Sequence, residues 1–226
     1  MSGAARIPLT EATNPEAAGF VLAGGRSSRM GSDKALALLH GQPLIAHALA
    51  IFQQAALTAF IAGGQPNLGA FAPLVEDRHA GLGPLGGICS ALAASSARRA
   101  VFLSVDLPLM PASLINLLLH HAAITGAAVT VPSVNGFAQT FPAVLNRTVL
   151  PFLERELASG NSGCFRAFQA AAVSLGESVA IVPIEHLLQS GQLAHPQAFP
   201  PAWWFLNTNT PDDLRRAEIL LRANIA

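Results

Sequence analysis

Charge is scarce in this sequence. Only 12% of the 226 residues are charged, and 13 basic side chains are matched by 13 acidic ones. Without a basic surplus there is little to neutralise a phosphate backbone, which argues against broad nucleic-acid binding. Gly, Pro or Asp cuts every apolar stretch short of the about 18 residues that a membrane span needs. Cysteine is nearly absent: Cys89 and Cys164 stand alone, neither in a C-x-x-C pair. A structural zinc site is therefore not expected, and the two thiols read as small buried residues. No continuous apolar segment lies between Arg6 and Glu11, so a secretory signal is not expected and a reducing cytoplasm is the default location.

What remains is apolar, with 51% hydrophobic residues. That excludes disorder for most of the chain. The length suits a single α/β domain carrying a small extra lobe, with a core large enough to need no staples. Residues 1–18 lack periodicity and read as a flexible leader. Gly19–Leu22 is a short apolar run that stops at glycines, as a buried parallel strand does at a phosphate loop. Pro43–Ala56 reads as a helix with Pro43 in its first turn. Strands are expected at Thr58–Ala62, Leu74–Val75, Ala100–Val105, Val129–Val131, Phe141–Leu145, Val179–Val182 and Phe205–Leu206. Helices are expected at Pro84–Ser95, Pro111–Ala123, Thr148–Ala158, Cys164–Ala172 and Pro211–Arg222. This alternation predicts a mostly parallel, Rossmann-like sheet covered on both faces. The 131–145 region, together with the Pro- and Trp-bearing stretch His195–Trp204, reads as a lid or small subdomain.

Two places carry chemistry. After the first strand the chain reads L-A-G-G-R-S-S-R-M-G-S-D-K, Leu22 to Lys34. Glycines let backbone N–H groups approach a ligand, and consecutive N–H groups make an anion-binding concavity. Arg26, Arg29 and Lys34 add cations, the combination a triphosphate requires. The pattern is not a Walker A loop, since Gly31 is followed by Ser32-Asp33-Lys34 rather than by Lys and a hydroxyl residue. A plain glycine turn with surface charges is the competing reading. The second place is Asp106, at the end of the apolar run Val101–Val105. Magnesium binds through one or two carboxylates plus substrate phosphates, so Asp106 fits a metal role; a cap or turn aspartate fits equally well in isolation.

A rival motif lies between them. Gly81-Leu82-Gly83-Pro84-Leu85-Gly86 is a literal G-x-G-x-x-G, followed about twenty residues later by Asp106, as an NAD site would want. Its context is poor, because Glu76–Ala80 separates it from the preceding strand, and it leaves the Arg29 and Lys34 loop unexplained.

Taken together, Leu22-Ala23-Gly24-Gly25, Arg29-Met30-Gly31, Asp33-Lys34 and Gly41-Gln42-Pro43-Leu44 match, in order and spacing, the signature of nucleotidyltransferases related to molybdenum cofactor guanylyltransferase, and the chain resembles that family over nearly its whole length. The resemblance implies the nucleotide-diphospho-sugar transferase fold, with a nucleotide half at about 19–125 and an acceptor half at about 126–226. It implies Leu22, Ala23, Gly24 and Gly25 along the nucleotide, Arg29 and Lys34 on the triphosphate as catalytic cations, and Asp106, in Asp106-Leu107-Pro108, on Mg2+. It assigns base reading to Asp77, whose carboxylate can accept both N–H groups of guanine. A solvated acidic pair, Glu76-Asp77, is the alternative there.

Gly83-Pro84-Leu85-Gly86-Gly87 and the Ala23-Gly24-Gly25 turn favour guanine over cytosine within the resemblance, whereas Gln65 stands where the family usually has asparagine. At the other end, Asn207-Thr208-Asn209-Thr210-Pro211-Asp212-Asp213 is similar to the family's acceptor segment, which places Asn207 and Asn209 near the acceptor. Thr210, Pro211 and Asp213 also spell a helix start by themselves. Departures cluster on this side: Gln139-Thr140-Phe141-Pro142 replaces an H-P-T-like element, Asn161-Ser162-Gly163 replaces basic residues ahead of Arg166, and His186–Trp204 looks inserted. Trp203 and Trp204 read as packing, with stacking on a pterin as the alternative.

The implied substrates are GTP and molybdopterin, with transient contact to cofactor-delivery or molybdoenzyme proteins. A cytidylyltransferase, a sugar-phosphate nucleotidyltransferase and a non-catalytic GTP-binding module are the competing functions.

Overall fold

The structure is a computed structural model describing residues 16–24, 33–79 and 81–223. Strand β1 (Ala17–Leu22) is followed by a small hairpin, β2 (Leu38–Leu39) and β3 (Gln42–Pro43), and by helix α1 (Leu44–Gln54). Next come β4 (Ala59–Ala62), β5 (Leu74–Val75), α2 (Gly83–Ala94) and β6 (Arg99–Ser104). The chain continues through α3 (Ala112–Thr125), β7 (Val129–Val134), β8 (Phe137–Ala138), β9 (Ala143–Asn146), α4 (Leu150–Ala158) and α5 (Cys164–Ser174). It closes with β10 (Ala180–Pro183), α6 (Ile184–Gln189), α7 (Pro201–Trp204) and α8 (Pro211–Ala223).

One eight-stranded sheet runs β10-β7-β9-β6-β1-β4-β5, with β8 added to β7. Neighbours pair in parallel around β1, β4, β5 and β6 and between β7 and β10; β9 runs antiparallel to both β6 and β7. Side chains of β1 alternate between two buried layers. Ala17 and Val21 face a core built with Leu44, Ile45 and Phe52 of α1, Leu114 and Leu118 of α3, and Trp204. Ala18, Phe20 and Leu22 face a second core with Leu85, Ile88 and Leu92 of α2, Leu153 of α4 and Phe168 of α5. A strand buried on both faces reads as a continuous apolar run, which is why the expected three-layer α/β architecture was visible in the residues. Phe20 stacks on Phe60 and Phe102, at 5.6 and 5.4 Å between centroids. Gly19 is required on the other face: a Cβ there would lie 2.7 Å from the Phe52 ring.

Several expectations need adjustment. β1 begins at Ala17, so Ala17 and Ala18, assigned above to the leader, are buried strand residues. Pro43 does not enter α1; it is the extended N-cap residue and pairs with Leu38. The 131–145 stretch is not a lid, because Val131, Ala143 and Leu145 are core residues of β7 and β9. The strand expected at Val129–Val131 extends to Val134. Here β7 passes through Pro132, whose carbonyl accepts Gln139 N–H at 2.8 Å. Phe205-Leu206 is not a strand: Phe205 closes α7, and Leu206 N–H turns back to Trp203 O at 3.1 Å. Among the described residues, no helix is long and apolar enough to cross a membrane.

Candidate nucleotidyl-transfer site

Three strand ends define the site. β1 stops at Leu22, β4 stops at Ala62, and β6 leads into Val105-Asp106. Ala23 N–H donates to Ala62 O (3.1 Å) and Val105 N–H to Leu22 O (3.2 Å), so the turns beyond the strands lie level. A cleft of about 760 Å³ opens there, lined by Leu22, Ala23 and Gly24, by Gly63, Gly64 and Gln65, and by Asp33, Asp77 and the start of α2. Its place, beyond the carboxyl ends of parallel strands, is where open α/β sheets bind ligands. The first two turns touch backbone to backbone. A Cβ on Gly63, whose φ is +72°, would stand 3.1 Å from Gly24 Cα.

Lys34 opens a single 3-10 turn whose N-cap is Asp33; Ala35 N–H donates to Asp33 Oδ1 at 3.0 Å. That turn aims the lysine across the sheet. Its Nζ donates to Asp106 Oδ2 at 2.8 Å and to Asn209 Oδ1 at 2.5 Å. The Lys34 and Asp106 side chains are only 17% and 15% exposed, so this ion pair is screened less than a surface one. Asp106 Oδ1 is buried and has no hydrogen-bond partner among the described residues, and the same holds for Asp33 Oδ2. A buried carboxylate oxygen without a donor is costly unless something else meets it. A hard divalent cation fits Asp106 Oδ1. Among the described residues no cluster of three or more metal-ligating side chains occurs.

The segment 207–213, expected near the acceptor, is tied to the same aspartate through backbone. Thr208 N–H and Oγ1 both donate to Asp106 O, at 3.0 and 3.3 Å, and Thr208 is fully buried. Asn209 follows directly and Asn207 stands just before; both are exposed. Thr210 and Asp213 form the expected reciprocal cap of α8. Asp213 N–H donates to Thr210 Oγ1 (3.2 Å), and Asp213 Oδ2 accepts from Thr210 N (2.8 Å), Thr210 Oγ1 (2.8 Å) and Asn209 N (3.0 Å). The Thr210 hydroxyl, followed by the backbone donors, holds the Asp213 carboxyl below its ordinary range. At the far wall of the cleft, Asp77 Oδ1 accepts His79 N–H at 2.9 Å and faces the buried Ser90 hydroxyl at 3.3 Å.

The stretch 184–204 buttresses this site from behind. Trp204 is fully buried and its Nε1 donates to Phe199 O at 2.8 Å, so it packs rather than presents a stacking face. His195 stacks on Phe199 at 4.6 Å and bonds through Nε2 to Leu109 O at 3.1 Å, three residues beyond Asp106. Cys89 and Cys164 are buried and free, and burial pushes their thiols up to about 12 and about 11 respectively, as expected of inert packing residues.

The structure thus brings Leu22, Ala23, Gly24, Lys34, Asp77, Asp106 and Asn209 to one cleft and its rim. Gly25 and Arg29, with Arg26, Met30 and Gly31, lie outside the described residues. Sequence reasoning missed Thr208, Ser90 and the unpartnered oxygen of Asp33. Thr208 sits between two asparagines already singled out, so its spacing was a usable signal. Ser90 carried none, being one small residue in an apolar helix.

Comparison with known proteins agrees with this geometry. Residues 19–175 match the MobA-like NTP transferase domain family. A molybdenum cofactor guanylyltransferase of Rhodobacter capsulatus is 33% identical over 215 residues, covering 92% of this chain and 97% of that protein. One from Xanthomonas euvesicatoria is 47% identical over 103 residues, 45% of this chain and 52% of that protein. The crystal structure of molybdopterin-guanine dinucleotide biosynthesis protein A from Archaeoglobus fulgidus superposes with a TM-score of 0.72 at 22% identity, covering 91% of this chain and 98% of that one, and so shares the fold. The chain is a nucleotidyltransferase and belongs to the MobA-like NTP transferase family, with the molybdenum cofactor guanylyltransferases among its relatives.

Proposed function

We propose that this chain transfers GMP from magnesium-bound GTP to the terminal phosphate of molybdenum-molybdopterin, giving molybdopterin guanine dinucleotide and pyrophosphate. The observation that carries the reading is Lys34, whose ammonium joins Asp106 on the nucleotide side to Asn209 on the acceptor side. One side chain there can balance charge where the acceptor phosphate and the triphosphate meet. The relatives' names supply the guanine and molybdopterin specificity. A cytoplasmic location and transient contact with cofactor-delivery or molybdoenzyme proteins belong to the same proposal.

An oxygen of the acceptor phosphate attacks the α-phosphorus of GTP in line. The new P–O bond forms as the bond to the β-phosphate bridging oxygen breaks, and that electron pair leaves with pyrophosphate. The nucleophile is already anionic, so no strong general base is needed, and catalysis is positioning and charge stabilisation. Backbone at Leu22, Ala23, Gly24 and Gly25 cradles the nucleotide. Lys34 and Arg29 offset charge on the departing pyrophosphate. Asp106 would hold the metal, which supplies Lewis-acid polarisation of the phosphoryl oxygens. Nucleotidyltransferases of this family generally use a divalent metal; magnesium is the ion proposed here. Asn207 and Asn209 orient the acceptor.

The test is pyrophosphate release with molybdopterin as acceptor, comparing GTP with CTP, with and without magnesium. Release that is specific for GTP, dependent on acceptor and abolished by chelation is expected. A preference for CTP would make the chain a cytidylyltransferase, and GTP binding without release would make it a non-catalytic module.

A further inference from the structure

Asp77 is an exposed carboxylate on a loop, and an exposed aspartate is free to rotate unless something fixes it. Ser90 does so from inside the fold. It lies in α2, is 1% exposed, and is one of few buried polar side chains. Its hydroxyl accepts Arg78 N–H at 3.0 Å and has one proton for two acceptors within reach, Gly86 O at 2.9 Å and Asp77 Oδ1 at 3.3 Å. The loop is thus held at two successive residues, once through the Asp77 carboxylate and once through the backbone after it. His79 N–H adds a second donor to Asp77 Oδ1 at 2.9 Å. Both bonds fall on Oδ1; among the described residues Oδ2 takes none.

Gly86 makes this contact geometrically possible. A Cβ there would meet His79 O at 2.9 Å and His79 Cβ at 3.0 Å. Gly86 and Ser90 are four apart, hence on one face of α2. The bare position lets the 77–79 loop lie on the helix, and the hydroxyl one turn later pins it. Within Gly83-Pro84-Leu85-Gly86-Gly87-Ile88-Cys89-Ser90, the glycines and the serine therefore act on the same loop.

We infer that Ser90 is a positioning residue for base selection: it orients the Asp77 carboxylate so that its two oxygens meet N1–H and the 2-amino group of guanine together. The inference rests on the reading of Asp77 as the base reader. Adenine presents an acceptor at N1, and a fixed carboxylate repels it. A carboxylate that can swing away repels it less and also gains less from guanine.

The experiment is calorimetric binding of GTP, ATP and the triphosphate of inosine, which lacks the 2-amino group, to the full chain carrying Ser90→Ala, Ser90→Thr, Asp77→Ala or Ser90→Ala with Asp77→Ala. Ser90→Ala should lower the GTP-over-ATP preference by about five- to tenfold, the value of one hydrogen bond, without weakening all nucleotides alike. Ser90→Thr keeps a hydroxyl that can accept Arg78 N–H and donate to the Asp77 carboxylate, and should retain the preference. Adding Ser90→Ala to Asp77→Ala should change the ratio no further. If Asp77→Ala erases the preference while Ser90→Ala leaves it intact, the positioning role falls and the base reader stands. If neither variant moves the ratio, Asp77 does not read the base and both ideas fall. A uniform loss for all three nucleotides, with a lowered Tm, would make Ser90 purely structural. Should Ser90→Ala not fold, Ser90→Cys, a weaker donor of similar shape, replaces it, and an unchanged ratio there overturns the proposal.

Discussion

The proposed nucleotide and acceptor halves build their contributions to the site by different means. On the nucleotide side, adjacent parallel strands end together and their turns line the cleft with backbone, with Gly24 and Gly63 in direct contact. On the acceptor side the sheet turns mixed, β9 is antiparallel, and the contributing segment 207–213 arrives from the far end of the chain, 175 positions from Lys34 in its contact through Asn209. A site made of backbone constrains which residues may occupy its turns, because only glycine tolerates the approach and the positive φ. A site made of long-range side-chain contacts imposes no such local rule. Asp106 belongs to both halves: its carboxylate meets Lys34, and its carbonyl receives Thr208.

The largest effect should come from dividing those two roles. Asp106→Asn keeps the backbone carbonyl that Thr208 uses and removes only the carboxylate charge. On the proposed mechanism turnover falls by about 10³ or more, while Tm stays near that of the native chain and GTP still binds in the absence of metal. Steady-state pyrophosphate release and a thermal melt measure the two sides. Near-normal turnover would remove the metal role from Asp106 and leave it a structural tie between the halves.

Lys34 probes the join itself. Lys34→Ala should lower kcat by about 10² and should also raise KM for the acceptor, since Asn209 loses its charged partner. Asn209→Ala should raise acceptor KM while leaving KM for GTP unchanged. Should Asn209→Ala instead disturb GTP alone, the segment 207–213 belongs to the nucleotide side and the division into halves drawn here is misplaced.

The same contrast explains what the sequence disclosed. The three-layer fold was legible because central strands such as β1 and β6 are apolar on both faces and helices carry one apolar stripe. The first turn of the cleft was legible because Ala23-Gly24 must be small or conformationally permissive. The cap of α8 was legible because Thr210 and Asp213 act within a single turn. Thr208, Ser90 and His195 were not, since each works by reaching a partner remote in sequence or hidden in a helix. The strand expected at Val129–Val131 was too short because tertiary pairing of Pro132 with Val182 on β10 and the bond from Gln139 carry it onward. Phe205-Leu206 misled because an apolar pair after Trp203-Trp204 has too little length to show any period.

The smallest effect is a pH dependence that belongs to the acceptor side alone. Gln197 N–H donates to His195 Nδ1 at 3.0 Å, and a backbone amide can only donate, so Nε2 carries the proton given to Leu109 O. The ring is therefore neutral as it packs against Phe199 and Trp204. Burial, only partly offset by the Leu109 bond, pushes its pKa below 6.5. Below 6.5 the unfolded chain takes up a proton that the folded chain resists, so this contribution to stability is whole above about pH 6.5 and declines as pH falls. Half-buried, His195 should account for a small part of the Tm decline between pH 7 and pH 5. His195→Phe keeps an aromatic ring in the stack and should remove that increment. The remaining acid sensitivity, including that of Asp213, whose lowered pKa acts beneath 3.8, should be untouched. Melts of both proteins across that range measure the difference. Identical declines would mean that the ring of His195 is solvated enough to protonate in place, and that the stretch 184–204 does not hold the loop after Asp106 through a neutral imidazole.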